Sequence, residues 1–140
     1  MTVSQIGIDT CPDSSNKVTS LPFWRSTDQL PCMYSGTVKS STTLNHNLFY
    51  WLFKRQDPKV TDPASLVLWL NGGPGSSSTF GLFVENGPLR VFKNGTGPGD
   101  LVIGLNDPSE GSWVDDADIL FLDQPVNTGF SYGDSYATTM

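Results

Sequence analysis

Apolar positions along the chain gather into short runs separated by polar stretches rich in glycine and proline. Residues 33–39 (Tyr34, Thr37, Val38) and 48–54 (Phe49, Tyr50, Trp51, Phe53) favour β structure and flank the polar stretch 40–47, which predicts an antiparallel hairpin with a long turn. Five consecutive apolar residues at 66–70 predict a strand buried on both faces, of the kind found in a sheet covered by helices. Asn71-Gly72-Gly73-Pro74-Gly75 stops that strand abruptly. A weak helical pattern over 76–84 (Phe80, Phe83, Val84), closed by Asn86-Gly87-Pro88, predicts a short helix. Short strands follow at 89–92 and 101–105 around a turn at 93–100, and a second buried-type strand at 119–122. Upstream, residues 1–31 are polar and without sustained period, an irregular arm, while Asp57-Pro58 and Asp62-Pro63 punctuate a loop. A hairpin followed by strand, helix and strand predicts the opening half of an α/β sheet. With one short helix to cover it, such a sheet is expected to show apolar faces to solvent and to be marginally stable.

Charge narrows the function classes. The 140 residues carry a formal net charge of −6, and no Lys or Arg follows Lys93. Such a chain repels phosphate backbones and anionic lipid surfaces, so neither nucleic acid nor membrane is an expected partner. The longest apolar run, 48–53, is too short to span a bilayer. The first residues lack a basic segment followed by an apolar one, so no signal peptide is visible. Cys11 and Cys32 are compatible with one disulfide or with two free thiols. Asn94-Gly95-Thr96 is an N-glycosylation triplet, meaningful in a secreted chain.

Candidate chemistry centres on Trp69-Leu70-Asn71-Gly72-Gly73-Pro74-Gly75-Ser76-Ser77. A strand running into adjacent glycines exposes backbone N–H groups at the end of a sheet, where they suit a developing oxyanion. An ordinary tight turn has the same composition, and no Gly-Lys-Ser/Thr follows to make it a phosphate loop.

Four ordered blocks add specificity: residues 66–78 around the glycine turn; Gly81-Leu82-Phe83-Val84-Glu85-Asn86-Gly87-Pro88; Ser112-Trp113; and Phe121-Leu122-Asp123-Gln124-Pro125-Val126-Asn127-Thr128-Gly129-Phe130-Ser131-Tyr132. Together, over about residues 21–136, they resemble the serine carboxypeptidases, α/β-hydrolases that remove C-terminal residues from peptides and proteins through a serine acyl-enzyme. The resemblance implies an oxyanion-hole N–H at Gly73 and a clamp for the substrate's terminal carboxylate at Asn71, Gly72 and Glu85, supported by Trp69. A protonated, buried Glu85 within hydrogen-bond reach of Asn71 could donate to a carboxylate, whereas two ionised carboxylates repel. It implies no cofactor and no metal, peptide or protein C-termini as partners, and a secreted, lysosomal or vacuolar setting. Two positions depart from the family pattern: Ser76 stands where a disulfide cysteine is frequent, and Val114 where Asn is frequent.

On this reading residues 32–140 form an incomplete α/β-hydrolase domain without the nucleophile elbow and the rest of the triad, and the chain alone is expected to be inactive. A non-catalytic peptide-binding product, or a piece of a related acyltransferase, are the alternatives. Gly129-Phe130-Ser131-Tyr132-Gly133 satisfies the G-x-S-x-G pattern, but Pro125 and Asn127-Thr128-Gly129 separate Ser131 from its strand, so no elbow is expected there. His46, in a polar turn, is expected at the surface, and the acidic run Asp115, Asp116, Asp118 is expected to be solvated.

Overall fold

A computed structural model describes residues 11–25, 27–56, 65–97 and 99–134. The loop punctuated by Asp57-Pro58 and Asp62-Pro63 and the first ten residues of the arm lie outside the described residues. β1 (Met33–Lys39) and β2 (His46–Phe53) pair antiparallel from Met33 opposite Phe53 to Lys39 opposite Asn47. β3 (Leu66–Trp69) leads through α1 (Thr79–Val84) to an antiparallel pair, β4 (Leu89–Lys93) and β5 (Leu101–Leu105). A 3₁₀ turn (Trp113–Asp115) then precedes β6 (Asp118–Leu122), and β7 (Tyr132–Gly133) follows. The main sheet runs β1-β2-β6-β3, with β7 on β2. Because β3 and β6 are parallel, their connection must cross over the sheet, and α1 with the β4–β5 hairpin forms that crossover.

Register decides which face is buried. Phe53 lies opposite Ile119 and Trp51 opposite Phe121 across β2 and β6, while Val67 and Trp69 lie opposite Ile119 and Phe121 across β3 and β6. Opposed residues share a face, so these side chains form one apolar layer. Leu82 of α1, Leu89 and Val114 close over it, all fully buried with Met33, Phe53 and Ile119. The ring of Phe53 meets Phe121 edge-on, centroids 6.0 Å apart.

The opposite face is open, as expected of a sheet with one short helix to cover it. Leu66 and Leu68 are 65% and 53% exposed, so the described residues cover β3 on one face only. A run of apolar residues shows that both faces are suited to burial. It carries no information about whether the described elements supply a cover.

The arm is irregular but pinned. The Val18 N–H donates to Met33 O at 2.9 Å and the Ser35 N–H to Asn16 O at 2.9 Å, extending the β1 edge. Cys11 and Cys32 are joined as a disulfide, which resolves the alternative left open by composition. Arg25 and Asp28 form an ion pair at 2.7 Å, and the same Asp28 oxygen accepts the Leu105 N–H at 3.1 Å.

Two polar residues lie deeper than expected. His46 is buried at the start of β2, where Nε2 meets Asp134 O at 2.9 Å, because β7 folds back across what reads as a free turn. Asp118 is buried as well, in an ion pair with Lys54 and accepting the Arg55 N–H at 2.8 Å. Asp115 instead closes a capping box with Ser112.

Candidate active site

β3 delivers Trp69 to the end of the sheet, and the chain turns there through residues 71–76. Gly73 has φ of +135° and Gly75 has φ of +96°. A side chain at either position would be strained, so the turn requires glycine for its backbone conformation. Gly72 and Gly73 are exposed, and their N–H groups donate to nothing among the described residues. Two unpaired donors on adjacent residues at the carboxyl end of a parallel strand are the raw material of an anion or oxyanion site.

Asn71 stands beside them and is oriented from two sides. Its backbone N–H donates to Ser78 Oγ at 3.1 Å, and its Oδ1 accepts from Trp69 Nε1 at 2.7 Å. That second bond fixes which end of the carboxamide is which and leaves Nδ2, a donor, without a partner among the described residues. The Trp69 ring is held edge-on by Trp113, centroids 5.4 Å apart. Gly81 of α1 packs against the pair: a Cβ there would lie 2.4 Å from Trp69 Nε1 and 2.9 Å from Asn71 Oδ1. Helix α1 can approach this closely only because position 81 has no side chain.

Asp123, directly after β6, fastens the turn from below. It is 1% exposed. Its Oδ1 accepts from Ser77 Oγ and from the Ser78 N–H, both at 2.7 Å, and its Oδ2 accepts the Phe130 N–H at 2.9 Å. Ser78, also buried, donates its hydroxyl to Leu122 O at 2.6 Å. One carboxylate therefore ties three segments: the exit of the glycine turn, the end of β6 and the loop before β7. Sequence reasoning missed Gly81, Ser78, Asp123 and the ring contact of Trp113. The one available signal was a polar residue placed immediately after an apolar strand.

Glu85 differs from the expectation. It is exposed, and no hydrogen bond joins its carboxylate to Asn71. α1 is six residues long and Glu85 is its C-cap, so the side chain emerges past the covered surface of Gly81 and Leu82. Its backbone still marks the neighbourhood: the Glu85 N–H donates to Gly81 O at 3.0 Å, one turn from the Trp69–Asn71 pair.

Ser131 sits before a two-residue strand, not a helix. It is buried, donates to Asp123 O at 2.7 Å and accepts the Phe49 N–H at 2.8 Å. With both roles of its hydroxyl taken by backbone, it joins β2 to the end of β6.

A sequence model described as "Serine carboxypeptidase" matches residues 26–140. The chain belongs to the serine carboxypeptidase family. Among curated relatives, it is 43% identical over 114 residues to "Pheromone-processing carboxypeptidase KEX1" of Ogataea parapolymorpha, which covers 79% of this chain and 17% of the relative. It is 52% identical over 103 residues to "Carboxypeptidase Y homolog A" of Arthroderma otae, covering 73% of this chain and 17% of that protein. Among solved structures, a prohormone-processing carboxypeptidase of Saccharomyces cerevisiae, Kex1(Δ)p, superposes with a TM-score of 0.57 at 38% identity, over 73% of this chain and 21% of that one. The chain thus spans less than a fifth of the length of these two curated relatives, and its strands and helix are a partial α/β piece of the family fold. The glycine turn, the end of α1 and the β6–β7 segment all fall inside the matched region.

Proposed function

We propose that this chain supplies the oxyanion turn and the carboxylate-binding side of a serine-type carboxypeptidase acting on peptide and protein C-termini. The observation that carries the reading is the row of unpaired donors at the end of β3: the N–H groups of Gly72 and Gly73 beside the Asn71 carboxamide, whose oxygen Trp69 holds. Gly73 N–H is assigned to the oxyanion that forms when a serine attacks the scissile carbonyl, where a fixed donor lowers the barrier without reorganising. Asn71 and Gly72 are assigned to the terminal carboxylate, with Trp69 as a positioning residue; Glu85, exposed and unbonded to Asn71, is left out of the clamp. The nucleophile, its base and its aspartate are assigned to the part of the relatives' length that this chain does not span. The chain alone is therefore expected to be inactive as a peptidase. The Cys11–Cys32 disulfide supports an oxidising, secretory or vacuolar setting.

The test is a titration of the isotope-labelled chain with a blocked dipeptide bearing a free C-terminal carboxylate, and with its C-terminal amide. The carboxylate form is expected to move the amide signals of Gly72 and Gly73 and the Asn71 side-chain signals. The amide form is expected to leave them in place, and Asn71→Asp to abolish the response by like-charge repulsion. An equal response to both ligands, or none to either, refutes the assignment.

A further inference from the structure

We propose that Asn94 carries an N-linked oligosaccharide at the tip of the β4–β5 hairpin, and that this glycan shields the hairpin's exposed apolar end. The inference is independent of the peptidase reading. Asn94-Gly95-Thr96 is the one Asn-x-Ser/Thr triplet with x other than proline in the sequence. The structure places it directly after β4 ends at Lys93, with all three residues exposed.

The turn is built so that its modifiable atoms are left over. The Asn94 N–H donates to Asp100 O at 2.7 Å, and Asp100 Oδ2 accepts the Gly97 N–H at 2.8 Å. A Cβ at Gly95 would lie 2.3 Å from Asp100 Oδ2 and one at Gly97 2.9 Å from it, so the backbone of the turn folds onto the Asp100 carboxylate. Among the described residues nothing hydrogen-bonds the Asn94 carboxamide or the Thr96 hydroxyl. A sugar on Asn94 Nδ2 therefore breaks no contact of the fold. The disulfide between Cys11 and Cys32 supplies an independent indication of the compartment in which such transfer takes place.

In that step Nδ2 attacks C1 of an oligosaccharide carried on a polyprenyl pyrophosphate. The C–N bond forms, the C–O bond to pyrophosphate breaks, Nδ2 loses one proton, and the lipid pyrophosphate leaves. No electrons are exchanged with any oxidant or reductant.

The hairpin shows what the glycan does. Leu89, Val91 and Lys93 lie opposite Leu105, Ile103 and Leu101, so the six share one face. That face is buried at Leu89 and opens toward the tip, where Val91 and Leu101 are 48% and 49% exposed. Asn94 adjoins the Lys93–Leu101 pair, which puts a bulky hydrated group next to apolar surface that the described residues leave uncovered.

The experiment expresses the full chain behind a cleavable leader in a eukaryotic secretory host. Peptide N-glycosidase treatment in heavy-oxygen water is expected to give one downward mobility step and an isotope-labelled conversion of Asn94 in the peptide spanning the turn. Thr96→Ala is expected to lose that step and Thr96→Ser to keep it. After enzymatic removal of the glycan from the folded protein, binding of an apolar fluorescent dye is expected to rise severalfold, and Val91→Ser with Leu101→Ser to cancel the rise. Unmodified Asn94 in the secreted, disulfide-bonded protein overturns the site. Mass analysis of the wild-type chain decides this even if a variant fails to fold. Equal dye binding with and without the sugar overturns the shielding role.

Discussion

Replacing Asp123 by Asn tests whether one buried carboxylate holds the glycine turn in place. The wild-type side chain accepts three hydrogen bonds, two on Oδ1 and one on Oδ2, and is 1% exposed. In Asp123→Asn one end becomes an NH₂ group. The least costly orientation keeps Oδ1 against Ser77 and Ser78 and points Nδ2 at the Phe130 N–H, donor against donor. The packing leaves little room to relax, since a Cβ on Gly129 would lie 2.0 Å from Asp123 Oδ2. Losing one charge-assisted bond and setting the new Nδ2 against the Phe130 N–H at a carboxylate position that is 1% exposed costs about 3–4 kcal/mol. With a urea slope of about 2 kcal/mol/M, the midpoint falls by roughly 1.5–2 M. Ser77→Ala, which removes one hydroxyl from the same cluster, is the control and is expected to cost about 1 kcal/mol. Equilibrium urea unfolding followed by tryptophan fluorescence measures both. If Asp123→Asn costs no more than Ser77→Ala, the carboxylate is not the fastener described here.

Gly81→Ala forces a methyl group into the Trp69–Asn71 bond and is expected to cost about 1–3 kcal/mol and to change the tryptophan emission; unchanged emission would show that α1 does not rest on that pair. Opening the disulfide with Cys11→Ser and Cys32→Ser, which closes a sequence separation of 21, is expected to cost about 3 kcal/mol, read as a fall in Tm of roughly 10 °C by calorimetry. The Arg25 guanidinium, donating to Asp28, holds that carboxyl below its ordinary range, helped by the Leu105 N–H. A lowered folded-state pKa stabilises the protein at pH values above the unfolded value of about 3.9, and the contribution is lost as pH falls through the lower folded value. Asp28→Asn should therefore lower stability at neutral pH and flatten its acid limb, measured as urea midpoints from pH 6 down to about 2.

Local pattern reached far in this chain. The hairpin of β1 and β2, the stop after β3, the short helix and the strands up to β6 follow from β-favouring runs, glycine–proline punctuation and run length, which are properties of neighbouring residues. The glycine turn was legible for the same reason: Gly73 and Gly75 are where a positive φ is needed, and glycine is the residue that takes it without strain. Trp69 and Asn71 were reached through the family resemblance instead, and their side chains bond because the two stand on either side of a strand end.

What lies far apart in sequence was decided by the tertiary structure. His46 and Asp134 meet because β7 folds back onto β2, and Lys54 reaches Asp118 across the sheet. Asp123 binds Ser77 and Ser78 from 46 and 45 positions away, and its place directly after an apolar strand does not say which partners it will meet. Exposure belongs to the same class. Leu66 and Leu68 belong to a run suited to burial and stand in solvent because one short helix leaves that face open, and Glu85 reads as a buried partner of Asn71 and stands at a helix end. A residue's hydrophobicity states what environment stabilises it, while its burial depends on which elements the chain brings over it. The elements and the glycine turn follow from neighbouring residues. Packing between distant segments determined which of those groups are covered, joined or left free.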